Sequence, residues 1–513
     1  MICTHTMGQA AVRNRTLFLT VFVLLFAAAV SSGQQSAAAP TDSAAATLPL
    51  TSKSPEAQRL VVEAMRVGLD LVEQEQSDVM LRQAIKIDPD FAMAHELLAQ
   101  NSLDPGEQVV ESAKAVALKG HASPAERLVI EWWQDATDHK LISAITKMND
   151  VLSQYPHDKW VVFMATNWLY TQTQYERAVA VYERSGITDS PGLLNNMGYT
   201  YASMREFEKA FALMDKYVAA LPQDANPQDS YAEILRMAGS FNKALEHYRA
   251  ALAIDPQFYP SQFGIADTYS LMGDQARARQ EYEAGFQKFP LPELHLVQWQ
   301  TREAETYIRE GDLKGADHTL QAIADDAHSK HMSQVEADIY RQMAMYQPDP
   351  KQALALISKA EVALKEGKNA MPATLHQEQA QILRVQVELA VKTGNRQNLH
   401  TLLVRLEEMS SSSNDRLIDT AYHGAAGAAA FSQHKYDEAI SHLEEDKNNP
   451  LSLKLLASAY QKIGYSAGAK RISETLANLN DPSLEQAMVV PTFRKCYEDP
   501  SCSGNVKAVS LKK

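Results

Sequence analysis

Residues 207–222 read FEKAFALMDKYVAALP, residues 241–256 FNKALEHYRAALAIDP and residues 275–290 QARARQEYEAGFQKFP. Each stretch begins 34 residues after the one before it, and Ala210, Ala244 and Ala278 each stand twelve positions ahead of Pro222, Pro256 and Pro290. Phe207 and Phe241 lie three residues before the alanine, and Met214, Tyr248 and Tyr282 four residues after it. Offsets of three and four place these side chains on one helical face. The proline stops the helix, because it has no N–H to donate and pushes its predecessor toward extended geometry.

Working outward, the period defines three uninterrupted units, 191–224, 225–258 and 259–292. In each, a first helix precedes the stretch above and carries a large, small, large pattern: Leu194, Gly198 and Tyr201; Tyr231, Ala232 and Leu235; Ile265, Ala266 and Tyr269. Small residues on both helices let the axes approach closely while the large ones fill the groove between turns. This pattern resembles the tetratricopeptide repeat family, whose unit is 34 residues in two antiparallel helices. The resemblance implies an all-α fold, a right-handed α-solenoid of stacked antiparallel helix pairs.

Away from this block the pattern loosens by degrees. Units at 125–158 (Ala144, Pro156), 159–190 (Tyr175, Ala178, Tyr182), 297–330 (Tyr307, Gly311, Ala316), 420–449 (Gly427, Tyr436, Ala439) and 450–483 (Leu456, Tyr460, Ala469) are readable. Weaker units fall at 58–91, 92–124, 334–367 and 380–413. This divides the chain into an N-terminal and central array over 56–366, C-terminal repeat-like units over 374–483, and a capping helix with a basic tail over 484–513. Flexible joints are expected near 366–380 and at the serine run 409–416.

Residues 17–30 form an apolar run after Arg13 and Arg15 and before Ser31, Ser32 and Gly33, which reads as a secretory signal peptide over 1–33. An uncleaved anchor is the alternative, though the run falls short of the roughly 20 residues that span a bilayer. Residues 34–55, rich in Ala, Ser and Pro, read as a disordered tether. The chain carries 49 basic and 63 acidic residues, and losing Arg13 and Arg15 takes the net charge from -14 to 47 minus 63, or -16. Such a surface opposes nucleic-acid phosphates and anionic lipids. An exported chain that keeps Cys496 and Cys502 has one possible disulfide; two free thiols are the alternative.

Chemistry is sparse. Gly464-Tyr-Ser466-Ala-Gly468 fits the serine-hydrolase elbow, yet it falls on an expected turn between two helices with no strand before it. His328 and His331 lack third and fourth metal ligands and read as a solvated helix end. Trp132 and Trp133 read as packing, or as an aromatic anchor for a partner. Neither a Walker loop nor a zincin or dinucleotide motif occurs, so no catalytic residue, cofactor or metal is assigned and an enzyme is not expected.

In tetratricopeptide proteins positions 2, 5, 9, 12 and 13 of the first helix most often face a ligand. By that resemblance the groove residues are Trp160, Phe163, Asn167, Tyr170, Asn195, Asn196, Tyr199, Asn226, Asp229, Glu233, Arg236, Phe263 and Asp267. The chaperone-binding group of the family captures a terminal carboxylate with cations and two asparagines. Asn167 and Asn196 match the asparagines, but Phe163, Asn226 and Ser230 stand where cations are required, so carboxylate capture is not expected. The resemblance therefore implies an exported, non-enzymatic scaffold, periplasmic or secreted, that binds proteins or extended peptides in its groove. The alternative is a sensory or regulatory subunit with one deep pocket beside Trp132 or Trp160.

Overall fold

Ala210, Ala244 and Ala278 are fully buried, as are Met214, Tyr248 and Tyr282 one turn further along. In each of these second helices a methyl-sized residue and a large one a turn later thus share the buried face. The computed structural model describes residues 47–498 apart from 72–73, 139, 368–370 and 414. The signal segment, most of the tether and Cys502, with its candidate bridge to Cys496, lie outside the described residues.

Helices come in pairs, a first and a second. The N-terminal pairs are α1 (Pro55–Arg66) with α2 (Gln74–Ile87), α3 (Ala92–Asn101) with α4 (Pro105–Leu118), and α5 (Pro124–Thr137) with α6 (Leu141–Gln154). The central pairs are α7 (Lys159–Thr171) with α8 (Tyr175–Ser185), α9 (Pro191–Ser203) with α10 (Phe207–Ala220), α11 (Asn226–Met237) with α12 (Phe241–Ile254), and α13 (Tyr259–Met272) with α14 (Gln275–Lys288). Longer helices follow: α15 (Glu293–Glu310) with α16 (Leu313–Ser329), α17 (Ser333–Tyr346) with α18 (Pro350–Glu366), and α19 (Pro372–Thr393) with α20 (Arg396–Ser413). The last pairs are α21 (Arg416–Ser432) with α22 (Tyr436–Leu443) and α23 (Pro450–Lys462) with α24 (Ser466–Ala477), and a single helix α25 (Leu484–Glu498) ends the series. Among the described residues there is no strand, and the fold is an all-α solenoid.

Local chemistry sets these boundaries. Asp104, Asp158, Asp349, Asp415 and Asn449 cap helix N-termini through side-chain oxygens, and Ser123 with Glu126 forms a reciprocal capping box. Between first and second helices the chain turns through left-handed backbone, at Gly239 with φ 79° and Gly273 with φ 94°. Thr173 and Arg205 take the same conformation without glycine's freedom, at φ 54° and 60°. Ser466 opens α24 directly after the left-handed turn at Gly464, which leaves the elbow motif in a helix-helix turn.

Successive first helices pack directly on one another: α7 on α9, α9 on α11, α11 on α13 and α13 on α15. Second helices instead contact the first helix of the following pair. A stack whose first helices are drawn together bends toward them, so this face is the concave one.

Three segments depart from the expectations. Residues 47–54 are a strap rather than part of a disordered tether: Leu48 is buried and its N–H donates to Asp158 Oδ2 at 2.7 Å, Thr51 N–H to Glu126 Oε1 at 2.8 Å, and Lys53 N–H to Asp88 Oδ2 at 2.8 Å. The serine run continues α20 through Ser413, and Ser410 Oγ donates to Asp419 Oδ1 at 2.9 Å, so the helix does not break there. Finally, α25 does more than cap α23 and α24. Leu484 and Ala487 join the core built by Ala304, Ile308 and Ile339, while Val490 and Phe493 join that of Leu456 and Leu476.

Just before α25 the chain reaches back to the central pairs. Arg205 Nη2 donates to Asn478 O at 2.7 Å and Asn480 Nδ2 to Met237 O at 3.4 Å. Contacts of this kind, across 273 and 243 residues, close the C-terminal units onto the turns of the α9/α10 and α11/α12 pairs.

Candidate functional site

The concave face divides into a polar ladder and an apolar cavity. In the ladder, Asn196 Nδ2 donates to Asn167 Oδ1 at 3.2 Å, and Ser203 Oγ to the Tyr170 hydroxyl at 3.3 Å. Tyr199 donates to Glu233 Oε2 at 2.5 Å, and Arg236 bridges Glu233 Oε1 and Asp267 Oδ2, each at 2.9 Å. Tyr282 also donates to Asp267, Ser261 to Asp229 Oδ1 at 2.6 Å, and Asn226 Nδ2 to the Tyr217 hydroxyl at 2.7 Å.

These groups are held by each other. Burial and then the charge of Glu233 push the Asp229 carboxyl up, while burial raises the Tyr199 hydroxyl well above its usual range. The acceptors Asn195 Oδ1 and Asn196 Oδ1 are buried without a hydrogen-bond partner among the described residues. Phe263 is not a groove residue at all. It is fully buried, stacked on Trp299 at 4.9 Å between ring centroids, because the neighbouring Gly285 leaves room for its ring. Asn226, Asp229, Arg236 and Asp267 are likewise buried and committed to neighbouring helices, so they offer little surface to a ligand.

Trp160 and Phe163 are placed differently. They open on a cavity of about 60 Å³ lined by α1 and the turn after it, α2, α3, α5 and α7, to which Met93, Met164, Trp133 and Glu96 also contribute. The cavity exists because α1 does not run on regularly. Val67–Leu71 makes a π-helical turn, with Gly68 at the cavity wall, and the turn leans across to α9. There, a Cβ at Gly192 would stand 2.3 Å from Leu69 O, so only glycine admits the approach. Asp70 on this turn accepts from Lys159 Nζ at 2.7 Å and from Ser190 Oγ at 3.3 Å, tying the turn to α7 and to the start of α9.

Glu96 is the unusual member. It is 1% exposed, Oε1 accepts from Gln100 Nε2 at 2.8 Å, and Oε2 has no partner among the described residues. Burial pushes its pKa up to about 8, against a smaller downward pull from Gln100. Trp132 stays in the core, fully buried and stacked on Trp133 at 5.0 Å, with Trp168 edge-on at 5.5 Å.

The groove positions assigned by resemblance omit Glu96 and Trp133, though the sequence carries a signal for both. In the weak unit 92–124 Met93, Glu96 and Gln100 occupy positions 2, 5 and 9, and in unit 125–158 Trp133 occupies position 9. Trp160 and Phe163 are positions 2 and 5 of the next unit, so ligand-facing positions of three successive units meet in this one cavity.

Elsewhere, His328 Nδ1 sits 3.0 Å from Glu336 Oε2 at the end of α16, and His331 is a left-handed turn residue at φ 58°. Among the described residues no group of three His, Cys, Asp or Glu side chains could hold a metal ion, and no helix is long and apolar enough to cross a membrane.

Comparison with known proteins points the same way as the period. Residues 235–300 match the tetratricopeptide repeat family. Over 226 residues the chain is 24% identical to the anaphase-promoting complex subunit CDC16 of Saccharomyces cerevisiae, an alignment that takes in 42% of this chain and only 26% of the yeast protein. A crystal structure of a tetratricopeptide repeat protein from Parabacteroides merdae aligns over 60% of this chain and all of its own, at 14% identity and a TM-score of 0.35. The APC/C hetero-tetramer Cut9-Hcn1 aligns over 79% of this chain and 76% of its own, at 16% identity and a TM-score of 0.37. The family match and the yeast relative support a tetratricopeptide repeat protein.

Proposed function

We propose that the chain is an exported, non-enzymatic scaffold that binds other proteins through the concave face of its solenoid. The observation that carries this reading is the meeting of Trp133, Trp160 and Phe163 at ligand-facing positions around a cavity, with Trp160 only half-buried. Aromatic anchors seated in such recesses dominate protein interfaces, since they bring large area at small entropy cost. CDC16 is a subunit of a multi-protein complex, which fits a role in holding partners. Export rests on the apolar run 17–30 and its flanks.

Cross-linking followed by pull-down with wild type, Trp160→Ala and Tyr199→Ala is the test. We expect Trp160→Ala to lose partners that wild type retains; recovery of one protein set by all three chains would end the reading. Fractionation, with mass spectrometry of the mature N-terminus, tests export. The second reading, a regulatory subunit that binds a small ligand, is favoured by one observation: the buried, half-satisfied carboxyl of Glu96 inside the cavity.

A further inference from the structure

A carboxyl group inside an apolar cavity is costly unless something pairs with it. Other buried carboxylates of this chain have partners: Asp267 has Arg236, Glu378 has Arg341 at 2.7 Å, and Asp446 has Arg384 at 2.8 Å. Glu96 has only the amide of Gln100. The cations and acids around it are already engaged. Lys159 is paired with Asp70, Arg82 with Glu107 at 2.6 Å, His95 with Glu111, and Asp78 with Asn101. None of these groups moves the Glu96 proton, which answers to burial and to Gln100.

The rest of the lining suits a positive charge with an apolar stem. Trp133, Trp160 and Phe163 bring aromatic rings, whose faces attract cations, and Met93 and Met164 bring polarisable sulfur. Trp160 already holds one ammonium in this way, the Lys159 Nζ at 4.9 Å from its ring centroid. A water-sized body needs about 10–15 Å³, so the cavity takes on the order of four heavy atoms. The net charge of -14 draws cations toward the molecule.

We propose that this cavity is a recognition site for an alkylammonium group, bound with its N–H donors on Glu96 and its carbon stem among Trp133, Trp160 and Phe163. The assignment rests on the reading of the concave face as the recognition surface and names what one part of it recognises. The cation enters protonated. At neutral pH Glu96 carries a proton in the empty site, and that proton leaves to solvent as the carboxylate forms beside the ammonium. The group can belong to a free amine or to a lysine side chain of a partner, and the two share this chemistry.

Isothermal titration calorimetry of the full chain at pH 7 tests it, with n-butylammonium, N-acetyl-lysine methylamide and n-butanol as titrants in two buffers of different ionisation enthalpy. We expect saturable binding of the ammonium compounds and none of n-butanol. Close to one proton should be released per ligand, and Glu96→Gln should weaken binding by about tenfold or more, the scale of a charge-assisted hydrogen bond. Tighter binding of the lysine amide assigns a protein-borne lysine; tighter binding of n-butylammonium assigns a free amine. Equal binding of n-butanol, absence of proton release, or an unchanged affinity in Glu96→Gln overturns the proposal. The butanol and proton arms use wild type alone, so they decide even where Glu96→Gln does not fold. If Trp160→Ala sheds partners while no ammonium binds, the docking reading stands and the cation assignment falls. If ammonium binds while Trp160→Ala keeps every partner, the cation assignment stands and the docking reading falls.

Discussion

Gly198 and Gly264 show how one substitution can have two outcomes. A Cβ on Gly198 would meet the terminal methyl of Met214 at 2.2 Å, the far end of a flexible side chain that can rotate away. At Gly264 it would meet the Tyr248 ring at 2.3 Å, and a rigid ring cannot fold aside as the thioether of Met214 can. Urea denaturation should therefore find Gly264→Ala destabilised by about 1–3 kcal/mol, the range for overpacking, and Gly198→Ala by clearly less. Glu96 gives a pH signature of its own. Its pKa in the folded chain, about 8, lies above the ordinary value of 4.5, so the unfolded chain gives up this proton first as pH rises. Its contribution to stability is whole below about 4.5 and is lost as pH climbs through 8. Compared with Glu96→Gln, wild type should lose stability on the order of a few kcal/mol between pH 5 and 8, read as the change in denaturation midpoint.

At the scale of elements, the strap 47–54 and α25 are where sequence and structure part. The central helix pairs are legible because they are written in local offsets: Ala210 to Met214, Ala244 to Tyr248, and Pro222, Pro256 and Pro290 after their second helices. The strap carries no such pattern. Its order comes from backbone N–H groups that meet Asp88, Glu126 and Asp158, carboxylates that begin or flank distant helices. Nor can Val490 and Phe493 announce partners on α23 and α24, since burial against another element leaves no period behind. The cavity is half legible for a related reason. Trp133, Trp160 and Phe163 sit in readable units, whereas Glu96 sits in the faint unit 92–124 and the cavity beside it depends on the π-helical turn. Asp158 joins two of these elements, for it caps α7 through the N–H groups of Trp160 and Val161 and also receives Leu48. Asp158→Ala should cost about 1–2 kcal/mol from the cap alone. It should also make residues 47–54 cleavable in limited proteolysis that spares wild type.

For the whole molecule, the contacts of Asn478 and Asn480 change what kind of array this is. Repeat stacks touch only their neighbours, and their units unfold with partial independence. Here Arg205 and Met237 of the central pairs are tied to the C-terminal units. Arg205→Ala should enlarge the radius of gyration in small-angle X-ray scattering and split one denaturation transition into two; an unchanged profile would show the closure to be energetically idle. The same tie sets an order of assembly. Joining residues 273 apart in an unfolded chain costs about 5 kcal/mol in loop entropy, whereas a stack already formed brings the two ends together at little cost. Closure therefore follows stacking, on the native side of the folding barrier, and acts as a latch on escape from the folded state: weakening it quickens unfolding and leaves the rate of refolding nearly untouched.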